Sequence, residues 1–197
     1  TVDFHLWDRT GCVEFWEMDT SLTFINDTNI GTLAEPLMLN ATGVIAQGLT
    51  FPGGFKWFSL NIESESTDIN TTMTDLNPEE GDRIIGQELY TQFQASTDSW
   101  VGPLADAGLE TGAMYVADLS NGSDLDYTGF RVVPDTQNIY LESGWNWTGY
   151  LPNRNMNVNI ALSAISPEEG DLIKDQAGFA QYAVGLGWIG SLTRMFP

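Results

Sequence analysis

The chain contains one histidine, His5, and one cysteine, Cys12, so any chemistry that needs an imidazole or a thiolate passes through these two side chains. The run Asp8-Arg9-Thr10-Gly11 carries turn residues between two stretches of alternating apolar character, which predicts a hairpin. A turn there sets Trp7 opposite Cys12 and His5 opposite Glu14, with His5 and Cys12 diagonal on one face. A Cys-His nucleophilic pair fits that geometry. A half-buried cysteine beside a strand-face histidine needs no such role, and this is the simpler reading. A Ser-His-Asp triad would have to share His5, and no Gly-X-Ser-X-Gly elbow presents a serine. The expectation is that the chain is not an enzyme, with a hydrolase kept as a third reading.

Zinc needs several His or Cys ligands, which this composition lacks. Calcium is the metal the composition admits, because hard oxygen ligands abound. The best local run is Ser120-Asn121-Gly122-Ser123-Asp124-Leu125-Asp126, which nominates Asp118, Asn121, Asp124 and Asp126 as ligands. The run lacks EF-hand spacing, and a solvated Asn-Gly turn accounts for the same residues. Glu79-Glu80-Gly81-Asp82 and Glu168-Glu169-Gly170-Asp171 also place adjacent carboxylates together, yet a charged turn after proline explains them without a cation. Paired carboxylates for glycoside hydrolysis carry no signal here, since among 27 acidic residues some pair always lies at a suitable separation. No cofactor is expected beyond calcium.

Tryptophans are the remaining chemical lead. Trp145 and Trp147 share parity, as do Phe55 and Trp57, so each pair lies on one face of a strand. An exposed pair can stack on sugar rings, which makes Trp145 and Trp147 the candidates for a carbohydrate-binding alternative. Trp57 and Trp147, and Trp100 and Trp188, recur at matching places, and a shared core explains that recurrence better.

The elements that hold these residues follow from composition and repetition. With 27 Asp and Glu against 7 Lys and Arg, the formal net charge of 197 residues is -20. Such a surface repels phosphate and argues against nucleic acid and anionic membranes as partners. Lys56 and Lys174 are the only lysines. One cysteine makes no intrachain disulfide, and no apolar run has the length that membrane insertion requires. The chain starts at Thr1 without an initiator Met or a signal peptide, which predicts a processed or excised product. Asn-X-Ser/Thr sequons at Asn26, Asn40, Asn70, Asn121 and Asn146 are glycosylation candidates and fit an extracellular, cell-surface location.

An internal duplication with a period of about ninety residues dominates the rest. The first copy carries Gly54-Phe55-Lys56-Trp57, Asn77-Pro78-Glu79-Glu80-Gly81-Asp82, Gln87, Gln92-Phe93, Trp100-Val101-Gly102 and Leu104. The second carries Gly144-Trp145-Asn146-Trp147, Ser166-Pro167-Glu168-Glu169-Gly170-Asp171, Gln176, Gln181-Tyr182, Trp188-Ile189-Gly190 and Leu192 in the same order. Each copy predicts an aromatic strand (55–60; 145–150), a short helical stretch (69–76; 158–165), a strand after the acidic turn (83–87; 172–176) and a hairpin. The first copy adds strands at 113–119 and 130–133, which the second lacks. The predicted fold is mainly β: an N-terminal β-meander fragment (1–41), with strands at 2–7, 12–18, 22–25 and 37–39, then two duplicated small β modules with short helices (42–133 and 134–197).

Gly144-Trp145-Asn146-Trp147-Thr148-Gly149-Tyr150, Pro167-Glu168-Glu169-Gly170-Asp171, Phe179-Ala180-Gln181-Tyr182 and Gly187-Trp188-Ile189-Gly190 resemble a repeat of large secreted or cell-surface multidomain proteins of marine Bacteroidota-like bacteria. Residues 3–41 are similar to the C-terminal part of a β module that precedes such repeats. The resemblance implies an exported, modular, non-catalytic protein whose second repeat lacks its glycine-rich closing strand. The expected function is structural: a segment of a surface adhesin, or the subunit of a self-assembling fibre joined head to tail by strand complementation. The assembly strand would be the N-terminal one, through Val2, Phe4 and Leu6, with another copy or a neighbouring module as partner and glycans as the alternative ligand.

Overall fold

The computed structural model describes His5–Asp8, Val13–Glu17, and residues 44–134 and 137–197. Val2, Phe4, Cys12, Asn26, Asn40 and the strands expected over 22–25 and 37–39 lie outside the described residues. The architecture is mainly β, built from antiparallel sheets with three short helices. Among the described residues no helix is long and apolar enough to cross a membrane. The chain forms two compact units, Thr1–Val44 and Ile45–Pro197.

In the first unit, β1 (His5–Asp8) and β2 (Val13–Glu17) form an antiparallel hairpin. Its register corrects the sequence expectation. Trp7 faces Glu14, Asp8 faces Val13 and His5 faces Glu17, with an irregularity between His5 and Leu6. The pairing of Trp7 with Cys12, on which the His5–Cys12 diagonal rested, is not the one adopted, because the register is displaced so that Asp8 pairs with Val13.

The second unit holds both repeats. Its first copy comprises β3 (Val44–Phe51), β4 (Gly54–Ser59), β5 (Ile62–Glu63), α1 (Ile69–Thr72), β6 (Arg83–Ile85), β7 (Tyr90–Gln94), β8 (Ser99–Val101), α2 (Pro103–Ala107), β9 (Met114–Leu119) and β10 (Ser123–Arg131). Strands β4, β9, β6, β7 and β8 form one sheet in that order, and β3, β10 and β5 form another. The two enclose one core that includes Phe58, Leu60, Ile69, Ile84, Trp100, Tyr115 and Leu125. Strand β10 alternates cleanly, burying Leu125, Tyr127 and Gly129 while exposing the residues between them, as a strand with one solvated face must. Strand β3 has no counterpart among the elements expected from the sequence, and β10 begins seven residues earlier than the expected strand at 130–133.

The second copy continues with β11 (Met156–Asn157), α3 (Val158–Ala161), β12 (Leu172–Lys174), β13 (Phe179–Ala183), β14 (Gly187–Gly190) and β15 (Arg194–Met195). It reproduces the helix, the strand after the acidic turn and the hairpin, but its buried cluster is small: Val158, Ala180, Trp188 and Leu192. The strand expected at 145–150 is not formed. Thr148 makes one isolated bridge to Ala113, extended by Met114 N–H to Trp147 O and Gly149 N–H to Gly112 O. This segment thus adds to an edge of the first copy instead of building a sheet in the second.

Candidate strand-acceptor site and inter-repeat clasp

The acidic turns are built from the backbone outward. In the first copy the Glu79 N–H donates to Asp82 Oδ2 (2.9 Å), and the Ala95 N–H donates to Glu80 Oε2 (2.7 Å). In the second copy the Glu168 N–H donates to Asp171 Oδ2 (2.8 Å), and the Val184 N–H donates to Glu169 Oε2 (2.6 Å). Gly81 and Gly170 sit at positive φ, which closes the turn at no cost in Cβ strain. The clustered carboxylates therefore satisfy backbone amides, and the motif is duplicated because the turn is.

A second duplicated device was not read from the sequence. Asn70 accepts the Trp100 N–H (2.7 Å) and donates to Trp100 O (3.2 Å), and Asn159 makes the same pair of bonds to Trp188 (2.7 and 3.2 Å). Asp68 and Asn157 cap the short helices that present these amides. The signal was available, since Asp68/Asn157 and Asn70/Asn159 recur at the spacing of the duplication.

The copies hold one another through Gln87 and Gln176. Gln87 donates to Trp145 O (3.2 Å) and accepts from Trp147 N–H (2.7 Å). Gln176 donates to Phe55 O (2.8 Å) and accepts from Trp57 N–H (3.1 Å). Each glutamine therefore grips the aromatic segment of the other copy, in the manner of one more β-ladder rung. Lys174 reinforces the seam, with Nζ 4.9 Å from the Trp57 ring centroid and 5.6 Å from that of Trp145.

Beside this seam lies a groove of about 520 Å³, lined by residues of β3 and β4, by Thr148 and Tyr150, by residues 174–177 and by the C-terminal Met195–Pro197. Both lysines of the chain, Lys56 and Lys174, line it. Of β12, Lys174 lines this groove. Strand β6 is flanked by β7 and β9, with Arg83, Ile84 and Ile85 opposite Asp118, Ala117 and Val116, whereas among the described residues its counterpart β12 is flanked by β13 alone. Asp82 Oδ1 receives both the N–H (2.8 Å) and the hydroxyl (2.6 Å) of Ser120, the residue that follows β9. Among the described residues the Asp171 carboxylate receives only the Glu168 N–H.

The residues nominated for calcium are not gathered into a ligand set. Asp118 pairs with Arg83, Asn121 donates to Glu79 Oε1 (2.5 Å), and Asp124 and Asp126 point outward from β10. Among the described residues no group of three or more His, Cys, Asp or Glu side chains is placed to hold a metal ion. Ser120-Asn121-Gly122 simply joins β9 to β10. Of the sequon asparagines, Asn70 spends its amide on Trp100, Asn121 on Glu79, and Asn146 on Glu142 O (2.8 Å) and Gly144 O (3.1 Å). Trp100 and Trp188 are core residues, Trp57 and Trp147 are half-buried, and Trp145 is 60% exposed. No family model, curated protein or solved structure matches the chain.

Proposed function

We propose that this chain is a repeat segment of an extracellular structural protein, a surface adhesin or a self-assembling fibre, whose units join by β-strand complementation. The observation that carries the reading is the edge of β12, uncovered among the described residues, with Lys174 of that strand lining a groove, at the place where β9 covers β6 in the first copy. An unpaired edge is the feature that β-augmentation uses, with main-chain bonds giving affinity and alternate side chains giving specificity. The acidic composition supports an exterior, soluble setting, and the resemblance of the Gly-Trp-Asn-Trp and Gly-Trp-Ile-Gly motifs to bacterial surface repeats supports the same. In the homopolymer form, the donor is the N-terminal strand of another copy, through Val2, Phe4 and Leu6. Size-exclusion chromatography with light scattering tests it. Concentration-dependent oligomers that disappear on deleting residues 1–8 are expected; a monomer at high concentration, unchanged by that deletion, sinks the polymer.

A carbohydrate-binding role is the second reading, favoured by the exposure of Trp145 and of its counterpart in the first copy, Phe55 (both 60%). Against it, the Lys174 ammonium lies over the Trp145 ring and Trp147 is half-buried. Glycan-array binding lost in Trp145→Ala, with the fold retained, would support this role.

A further inference from the structure

We infer that the groove beside β12 is a receptor for one extended partner strand with the chemistry of β9: small or apolar side chains alternating on the inner face, and a carboxylate opposite Lys174. The inference rests on the open edge proposed above as an assembly site, and it adds the register and the side-chain code of the occupant.

The register follows from the duplicated turn. Asp82 immediately precedes β6 and Asp171 immediately precedes β12, so Leu172, Ile173 and Lys174 take the places of Arg83, Ile84 and Ile85. A strand lying as β9 does would set the residues in the places of Asp118, Ala117 and Val116 opposite Leu172, Ile173 and Lys174. The residue in the place of Ser120, two beyond that of Asp118, would bring its N–H to Asp171, as Ser120 does to Asp82. On its other side such a strand would meet the segment 144–149, as β9 meets β4 through Gly54–Ser59. That segment forms no ladder of its own, and Thr148 and Tyr150 already line the groove.

The side-chain code follows from size and charge. In the first copy Ala117 is 1% exposed, so the central place of the covering strand is tight and takes a small residue. Its inner-face neighbours, Tyr115 and Leu119, are both buried and apolar. Charge decides the place opposite Lys174. In a chain of net charge -20, both lysines line this groove, and among the described residues neither forms an ion pair. Against Lys56 and Lys174 the lining sets one acidic side chain among the described residues, Asp175, which accepts from the Ala177 and Gly178 N–H groups, so the lining is cationic on balance and favours an acidic strand over a neutral or basic one. Arg83 and Asp118 show the same arrangement two residues away on the same strand of the first copy, where a cation on the strand after the acidic turn pairs with an acid on the covering strand.

The test is a titration of the intact chain with synthetic peptides carrying the sequence of residues 112–121, followed by calorimetry and amide exchange. One saturable site is expected, with the β12 amides slowed. A peptide with the Val116→Asp change should bind about threefold tighter than the parent and one with Val116→Lys about threefold weaker, the range of an exposed ion pair. Lys174→Glu in the chain should invert that order, and Lys174→Gln should abolish it while leaving the parent peptide bound. A peptide with Ala117→Trp should lose binding at least tenfold. No saturable binding, protection confined to another edge, or an order indifferent to Lys174 would overturn the inference. Peptide binding by a chain that stays monomeric would keep the receptor and remove the homopolymer; oligomers that form without peptide binding would do the reverse.

Discussion

Asp82 and Asp171 occupy the same place in two copies of one turn, yet their surroundings give them different weight. Asp82 is 3% exposed and accepts from Glu79 N–H, Ser120 N–H and the Ser120 hydroxyl. Asp82→Ala would strand buried donors and should cost about 2–4 kcal/mol in a urea melt. Asp171 is exposed and accepts from Glu168 alone, so Asp171→Ala should lose far less in the same assay. Thr91 gives the opposite expectation. Its side chain is fully buried and its hydroxyl has no partner among the described residues, so Thr91→Val should be neutral or stabilising by about 1 kcal/mol, read as a rise in the urea midpoint. A melt that ranks these substitutions otherwise would overturn the packing argument.

At the scale of elements, the Trp-X-Gly motif explains itself only once the hairpins are formed. A Cβ on Gly190 would fall 2.2 Å from Phe179 O on the neighbouring strand, and one on Gly102 would fall 2.9 Å from Tyr90 O. Neither backbone can withdraw without breaking its ladder, so Gly190→Ala and Gly102→Ala should each lower stability by about 2–4 kcal/mol, with Gly190 the worse. Thermal melts followed by tryptophan fluorescence would rank them, since Trp188 and Trp100 sit in the affected hairpins. The same scale shows why an aromatic strand was expected twice and found once. Phe55–Trp57 and Trp145–Trp147 carry similar patterns, but a strand exists only against a partner. The first lies along β9; the second meets the first copy over residues 112–114 through one isolated bridge and two backbone bonds, and Gln87 grips it besides. Local pattern cannot report the availability of a neighbour. Capping was more legible, since Asp68 and Asn157 stand just before apolar residues in the manner of N-caps.

For the molecule as a whole, ionisation sets limits on both charge and pH. Burial pushes the Tyr115 and Tyr127 hydroxyls above their ordinary value of 10.0. Because the folded state holds these protons more tightly than the unfolded chain does, their contribution is complete below pH 10 and is lost as pH rises above it. Stability should therefore fall with increasing pH beyond about 10, and Tyr127→Phe should flatten that fall in denaturant melts at pH 9 and 11. A net charge of -20 works against compactness at every neutral pH. Raising salt from about 0.01 M to 1 M shortens the screening length from about 30 Å to about 3 Å, and the melting temperature should rise by roughly 3–6 °C. A melting temperature indifferent to salt would mean that the charges are too dispersed to repel.

The sequence by itself determined the β-rich class, the duplication, the place of each acidic turn and the pairing of Gln87 with Gln176, because these depend on residue type and spacing along the chain. Tertiary structure alone decided where those features meet. The glutamines grip the opposite copy, Lys174 lies across two tryptophans, and the carboxylates suspected of binding a cation are satisfied by backbone amides. The reason is physical. Spacing fixes local conformation, but an edge becomes open, and a carboxylate becomes free, only through what the rest of the chain has or has not placed beside it.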